Sequence, residues 1–320
     1  MTFTVAIPHD IADAGKDFLR EKGYRVLIGT NPANPEDLKK EIAAADAILA
    51  RLNPYTADVL AAAPRLKVIA RHGIGVDSVD LDYCTRHGIQ VTNAPVSNAL
   101  SVSERTVAMI MAVAGHIPQM DRAVRKGDWG LRNRVNGVDL EGKTLGIVGF
   151  GRIGRGAAER CHAAFNMKIL AYDPFLDADK FPGWAESASV EDVFSRSDFV
   201  SLHMPATRDT CGMVDAGLLG RMKKTAFLIN CARGEVVKEM ELVQALKDNA
   251  IAGAGLDVLA EEPPPADHPL FALDNVVITP HSAALTVESM DRMGLHAAQG
   301  IDDVLNGRMP EWPVNKPLRR

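Results

Sequence analysis

The sequence predicts an α/β protein of two domains, each built on a doubly wound parallel sheet, with the first domain discontinuous along the chain. Three observations carry that prediction. Short apolar runs alternate with helix-length amphipathic segments from end to end, the pattern of buried parallel strands joined by crossover helices. The strand-like runs fall into two groups, one ending before about residue 92 and one beginning after residue 144. A chain of 320 residues, 47% of them apolar, is also long enough to fill two cores.

Taken in order, FTVAI, YRVLI, AILA and LKVIA are the strands of the first group. The segment SNALSVSERTVAMIMAVAGHIPQMDRAVRKG comes next. It opens with the capping pattern Ser101-x-x-Glu104 and keeps helical periodicity to about Lys126, which predicts one long connecting helix. The second group follows as TLGIVGF, MKILAY, DFVSLH, TAFLIN, AIAGAGLDV and NVVIT. A second long helical pattern, TVESMDRMGLHAAQGIDDVLNG, leaves about a dozen residues of tail, expected to return to the first domain. The boundaries are therefore 1–99 with 285–320 for a substrate-binding domain and 100–284 for a dinucleotide-binding one. LKVIARHGIGVD and TLGIVGFGRIG both place Gly-x-Gly after a strand, so the two domains read as architectural cousins.

Composition narrows the function. The 36 basic and 41 acidic residues are interspersed, giving a net charge of -5 without the basic face that nucleic acid or an anionic membrane requires. A small-molecule partner is expected. Cys84, Cys161, Cys211 and Cys231 show no C-x-x-C pair and no metal-ligand spacing, which predicts free thiols, no metal and a reducing compartment. The N-terminus MTFTVAIPHD lacks a basic leader and a long apolar core, so a soluble, unexported, cytoplasmic protein is expected.

The stretch TLGIVGFGRIGRGAAERCHAAFNMKILAYD carries the strongest motif. Gly149, Gly151 and Gly154 alone prove little, because with 26 glycines in the chain the spacing arises by chance in roughly one such sequence in six. The context supplies the rest: a strand precedes, a helix follows, and Asp173 ends the next strand 19 residues after Gly154. Gly149 permits the tight turn, Gly151 lets backbone approach a pyrophosphate, and Gly154 lets helix pack on strand. The helix N-terminus then offers free N–H groups to phosphate. Asp173 accepts from ribose hydroxyls and repels a 2′-phosphate, favouring NAD over NADP. A whole domain precedes this cradle, so the cleft between the domains is the expected site.

Three later loops carry polar residues where an α/β sheet presents them, at strand C-terminal ends: LINCARGEVV with Arg233, LDVLAEEPP with Glu262 and ITPHSAALT with His281. Hydride transfer to a 2-oxo acid needs a cation for the carboxylate, a proton donor for the carbonyl oxygen and a group that keeps that donor charged. An Arg provides a bidentate fork, a His titrates in the useful range, and a carboxylate beside a histidine favours its protonated form. Taken singly, each of the three residues is more often a surface charge, a loop residue or a packing side chain.

At this point the chain resembles the D-isomer-specific 2-hydroxyacid dehydrogenases, in particular their D-3-phosphoglycerate dehydrogenase-like branch. RHGIGVDSVDL, NAPVSNALSVSE, LEGKTLGIVGFGRIG, LHMP, LINCARGEVV, AGLDVLAEEPP and TPHSA occur in that family's order over nearly the whole chain. The resemblance implies two Rossmann-like domains and a homodimer formed through the cofactor domain. It also implies Arg233 as the carboxylate-binding and carbonyl-polarising residue, His281 as acid/base and Glu262 as its partner. Asp257 matches the carboxamide-binding Asp. Arg152, Ile153, His203, Pro205 and Cys231 fall in segments that line the cofactor, and the backbone at Ile74 and Gly75 resembles a second carboxylate clamp.

Arg51 and Asn98 match positions that hold the phosphate end of a phosphorylated substrate. The chain departs from the family pattern at Leu52, Ser103 and Lys238, where Ser, Ala and Asp are usual. The expected substrates are 3-phosphoglycerate or hydroxypyruvate, then glyoxylate or another short 2-oxo acid. A non-catalytic NADH-sensing binding protein is the reading from a different class. With so short a tail, no C-terminal regulatory domain and no serine feedback are expected.

Overall fold

In the computed structural model, which describes residues 2–318, two parallel sheets organise the chain. The first contains β1 (Thr4–Ile7), β2 (Arg25–Ile28), β3 (Ala47–Ala50), β4 (Val68–Arg71) and β5 (Gln90–Thr92) in the order β2-β1-β3-β4-β5. The second contains β6 (Thr144–Val148), β7 (Lys168–Tyr172), β8 (Ala185–Ser187), β9 (Phe199–Leu202), β10 (Phe227–Asn230), β11 (Gly253–Leu256) and β12 (Val276–Ile278), ordered β12-β11-β10-β9-β6-β7-β8. Every named strand pairing is parallel.

The chain divides into two compact units: the segment up to Asn98 with that from Leu285 onward, and Ala99–Ala284. Central strands such as β1, β3 and β9 are buried along their whole length, as continuous apolar runs in a doubly covered parallel sheet require. In the first unit the helix Val287–Leu305 supplies Ala297, Ala298, Ile301 and Leu305 to the core around Val5, Leu49 and Val68. The tail then runs beside β5, where Val314 donates its N–H to Val91 at 2.8 Å and the Asn315 side chain accepts the Val91 N–H at 2.7 Å.

The long connecting helix is the main correction to the sequence reading. It is two helices, Ala99–Ala114 and Ile117–Arg125, because His116 turns into the left-handed region at φ 49 and Pro118 lacks the N–H a continuous helix needs. The Ser101–Glu104 pattern is not the cap either, since the helix already begins at Ala99 and Ser101 lies buried within it. Two short strands, β5 and β8, fall outside the apolar runs the sequence pattern marks.

In the second unit, β6 lies between β9 and β7, where the order of connections reverses. Doubly wound sheets bind ligands beyond the strand ends at such a point. The glycine turn leaves β6 here, and the residues after β9, β10, β11 and β12 share the same edge.

Candidate active site

The glycine turn is shaped by three separate constraints. Gly149 has φ +94, and a Cβ there would stand 2.8 Å from the His203 carbonyl carbon, so both conformation and space exclude a side chain. A Cβ on Gly154 would collide with the Gly149 carbonyl and reach 3.0 Å from Ile147 Cγ2, which is the close helix-on-strand contact. Gly151 faces open space and caps the helix Arg152–Phe165 without a side-chain hydrogen bond, leaving the first N–H groups available. Arg152 is exposed and Ile153 half-buried beside it. The turn thus fits a pyrophosphate, as a backbone cradle that a side chain at Gly149 or Gly154 would fill.

Asp173 is tied into that turn. Its Oδ2 accepts the Phe150 N–H at 2.9 Å and its Oδ1 accepts the Phe175 N–H at 3.0 Å. The carboxylate therefore orients the loop as well as offering remaining lone pairs outward. His203 stands against the same turn, with Nε2 2.9 Å from Ser201 Oγ and Nδ1 shut away from solvent without a partner. Burial pushes this imidazole down to about 4, so it is neutral in physiological conditions. Pro205 is exposed after it, and Cys231 is buried, its thiol pushed up to about 12 by burial and then by the charge of Asp257.

Glu262 and His281 meet. His281 Nδ1 lies 2.6 Å from Glu262 Oε2, while Glu262 Oε1 accepts the Leu259 N–H at 3.0 Å. Because a carboxylate only accepts, the ring proton facing it is on Nδ1, which turns Nε2 away from the pair. Burial acts to raise the Glu262 carboxyl, but the hydrogen bond and charge of His281, the Leu259 N–H and the charge of Arg233 outweigh it and hold the group below its ordinary value. Arg233 is thus within electrostatic reach of the pair, and its Nη1 donates to the Ala232 carbonyl at 2.7 Å. His281 has φ 48, a conformation non-glycine residues adopt at a cost and often at functional positions.

Asp257 is buried, with 1% of its surface exposed, and its carboxylate accepts from Thr279 Oγ1 at 2.5 Å, Ser282 N at 3.0 Å and Ala283 N at 2.8 Å. Its carbonyl takes the His281 N–H at 2.7 Å. Asp257 therefore anchors the loop that holds the strained histidine. Asn230 plays the matching part for Arg233, donating Nδ2 to the Arg233 carbonyl at 2.8 Å and accepting the Ala232 N–H at 3.0 Å. Asn230 and Thr279 escaped the sequence reading. Their only signal was position, a polar residue where a strand of the second sheet ends.

In the first unit, the Ile74 carbonyl accepts from Asn93 Nδ2 at 2.9 Å, and Gly75 follows in the same turn. Arg51 is half-buried after β3, with Nη1 3.0 Å from the Asp10 carbonyl, and burial lowers its pKa while the Asp10 charge opposes that. Asn98 is buried, its Oδ1 without a partner.

This fold and strand-end edge place the chain among the α/β dinucleotide-binding proteins. A family model described as D-isomer specific 2-hydroxyacid dehydrogenase, NAD binding domain, matches residues 107–283, and the chain belongs to that family. It is 38% identical over 319 residues to a D-3-phosphoglycerate dehydrogenase of Archaeoglobus fulgidus, covering 98% of this chain and 59% of that protein. It is 42% identical over 293 residues to a glyoxylate reductase of Thermofilum pendens, covering 90% and 86%. Among solved structures, the TT0316 protein of Thermus thermophilus aligns with a TM-score of 0.90 and 35% identity over 98% of this chain and 100% of that one. The chain spans little more than half the length of the phosphoglycerate dehydrogenases it matches, 59% and 54% for two archaeal ones.

No helix among the described residues is long and apolar enough to cross a membrane.

Proposed function

We propose that the protein interconverts a D-2-hydroxy acid and its 2-oxo acid with NAD, using 3-phosphoglycerate, hydroxypyruvate or a shorter acid such as glyoxylate. The observation that carries this reading is the Glu262–His281 pair at 2.6 Å within reach of the Arg233 charge. Held on the turn of Gly149, Gly151 and Gly154, the dinucleotide would supply the hydride for reduction of the carbonyl carbon. His281 Nε2 gives its proton to the carbonyl oxygen, and in oxidation the same nitrogen takes the hydroxyl proton. Glu262 stabilises the charged ring, and Arg233 holds the carboxylate and polarises the carbonyl.

Gly149, Gly151, Arg152, Ile153 and Gly154 cradle the pyrophosphate, Asp173 meets the adenosine ribose, and His203, Pro205, Cys231 and Asp257 line the rest of the cofactor. The NAD-binding family model and the open helix start support those roles. The unit formed by the two chain ends serves the substrate, with the Ile74 and Gly75 backbone at its carboxylate and Arg51 and Asn98 at a phosphate end. A cytoplasmic homodimer assembled through the cofactor unit completes the proposal, on the strength of the family resemblance. Following NADH oxidation against a panel of 2-oxo acids tests it. Turnover with a defined subset is expected, whereas NADH binding without turnover on any of them would favour a cofactor-sensing role.

A further inference from the structure

We infer that Asn93, at the end of β5, is a positioning residue that aims the Ile74 and Gly75 N–H groups as a pair toward the substrate carboxylate. The inference rests on the carboxylate-binding reading of that turn. Two hydrogen bonds pin the turn to the segment after β5: Ala94 N–H donates to the Gly73 carbonyl at 2.8 Å, and Asn93 Nδ2 donates to the Ile74 carbonyl at 2.9 Å. The orientation of the Asn93 amide is fixed by chemistry, because a carbonyl can only accept and the nitrogen must face it.

Both peptide bonds that follow these carbonyls are trans. In a trans peptide the C=O and the next N–H point in opposite directions. With the Gly73 and Ile74 carbonyls both turned toward residues 93 and 94, the Ile74 and Gly75 N–H groups are both turned away from them. Neither N–H meets an acceptor among the described residues. Successive N–H groups aimed to one side form a concavity that suits an anion.

Gly73 makes the turn possible. Its φ is +128, a region that favours glycine, while a Cβ there would meet only Met293 Sδ at 3.6 Å. Conformation and not crowding excludes a side chain there. Asn93 is itself held firmly, since its backbone N–H donates to the Trp312 carbonyl at 3.3 Å and β5 is gripped by Asn315 through the Val91 N–H.

Replacing Asn93 with Ala releases the Ile74 carbonyl and lets the peptide rotate. Replacing it with Asp keeps the size and shape but sets an acceptor against an acceptor. The expected result with Asn93→Ala is a KM for the 2-oxo acid raised about tenfold, the scale of one hydrogen bond's net contribution, with kcat and NADH affinity retained. Asn93→Asp should be at least as impaired, although a purely space-filling role predicts that it behaves like the unaltered protein.

A direct readout uses the NADH-bound protein and oxamate as an unreactive carboxylate probe. Labelling with 13C-isoleucine and 15N-glycine leaves amide signals from the Ile28–Gly29, Ile74–Gly75 and Ile153–Gly154 pairs. The Gly75 amide should shift on adding oxamate, and the titration should move to about tenfold higher oxamate in both variants. Equal titrations in all three proteins would leave the clamp in place and overturn the role of Asn93. A Gly75 signal that ignores oxamate in the unaltered protein would overturn the carboxylate reading of the turn and this inference with it.

Discussion

Glu262 grips His281 with one carboxylate oxygen and the Leu259 backbone with the other, at 2.6 and 3.0 Å. The ring is thereby fixed through Nδ1, and proton exchange is left to Nε2. His281→Ala should leave NADH affinity nearly intact and lower the hydride-transfer rate by roughly 100- to 10,000-fold, the range for a lost general acid. Single-turnover kinetics beside a fluorescence titration of NADH would check this, and undiminished turnover would remove His281 from the chemistry.

Glu262→Gln keeps the shape of the partner and removes its charge. Reduction needs a protonated imidazole, so the alkaline limb of the reduction profile should move to lower pH, with a smaller loss at the optimum than for His281→Ala. An unmoved profile would show that the two side chains do not act together. Stability gives a second measure. The folded Glu262 carboxyl sits below its ordinary 4.5, so its contribution is present above that pH and is lost as pH falls through the lowered value. The stability gap between the unaltered protein and Glu262→Gln should therefore narrow on acidification below about pH 4.5 in denaturant titrations.

The elements that could be read from the sequence are those with a strong pattern. Ten apolar runs and the glycine turn were legible because burial and backbone approach restrict residue type there, whereas Arg233, Glu262 and His281, half-buried or exposed in their loops, stood out only by their place after strands and by the family's order of motifs. β8 was not, since AES at a sheet edge is partly exposed and lacks an apolar run. The break at His116 hid inside an unbroken helical periodicity, although Pro118 marks it in retrospect. Asn230, Thr279 and Asn93 act by hydrogen bonds to the backbone or to a carboxylate, and such bonds depend on loop conformations that spacing does not encode. Asp257 shows the same limit, because the loop-anchoring use of its carboxylate appears only once residues 279–283 are folded around it.

Asp173 supports two expectations at once. Its charge should exclude a 2′-phosphate, so NAD should exceed NADP by a large factor in kcat/KM, and Asp173→Ser or Asp173→Ala should narrow that gap. Its hydrogen bond to the Phe150 N–H adds that the same substitutions should weaken NAD binding by loosening the glycine turn. Equal use of both cofactors by the unaltered protein would mean that this carboxylate serves the loop alone.

Arg51 is the residue on which the choice of substrate turns. Its guanidinium is half-buried after β3, donates to the Asp10 carbonyl at 3.0 Å and has Asp10 as its nearby opposing charge, so it keeps donors for an anion. A phosphate paired with such a partly desolvated Arg gains a few kcal/mol, on the order of 100-fold in affinity. A two-carbon acid held by its carboxylate has no group to extend to it. Arg51→Ala should therefore raise KM for 3-phosphohydroxypyruvate on that scale while leaving glyoxylate and hydroxypyruvate kinetics almost unchanged. The neighbouring Leu52 is 63% exposed and supplies no hydroxyl where the family usually has a serine, which limits the phosphate's partners. Steady-state kinetics on the three acids distinguish the outcomes. Equal losses on all of them would assign Arg51 to holding the loop of Asp10, and activity confined to the unphosphorylated acids would place the protein with the glyoxylate and hydroxypyruvate reductases.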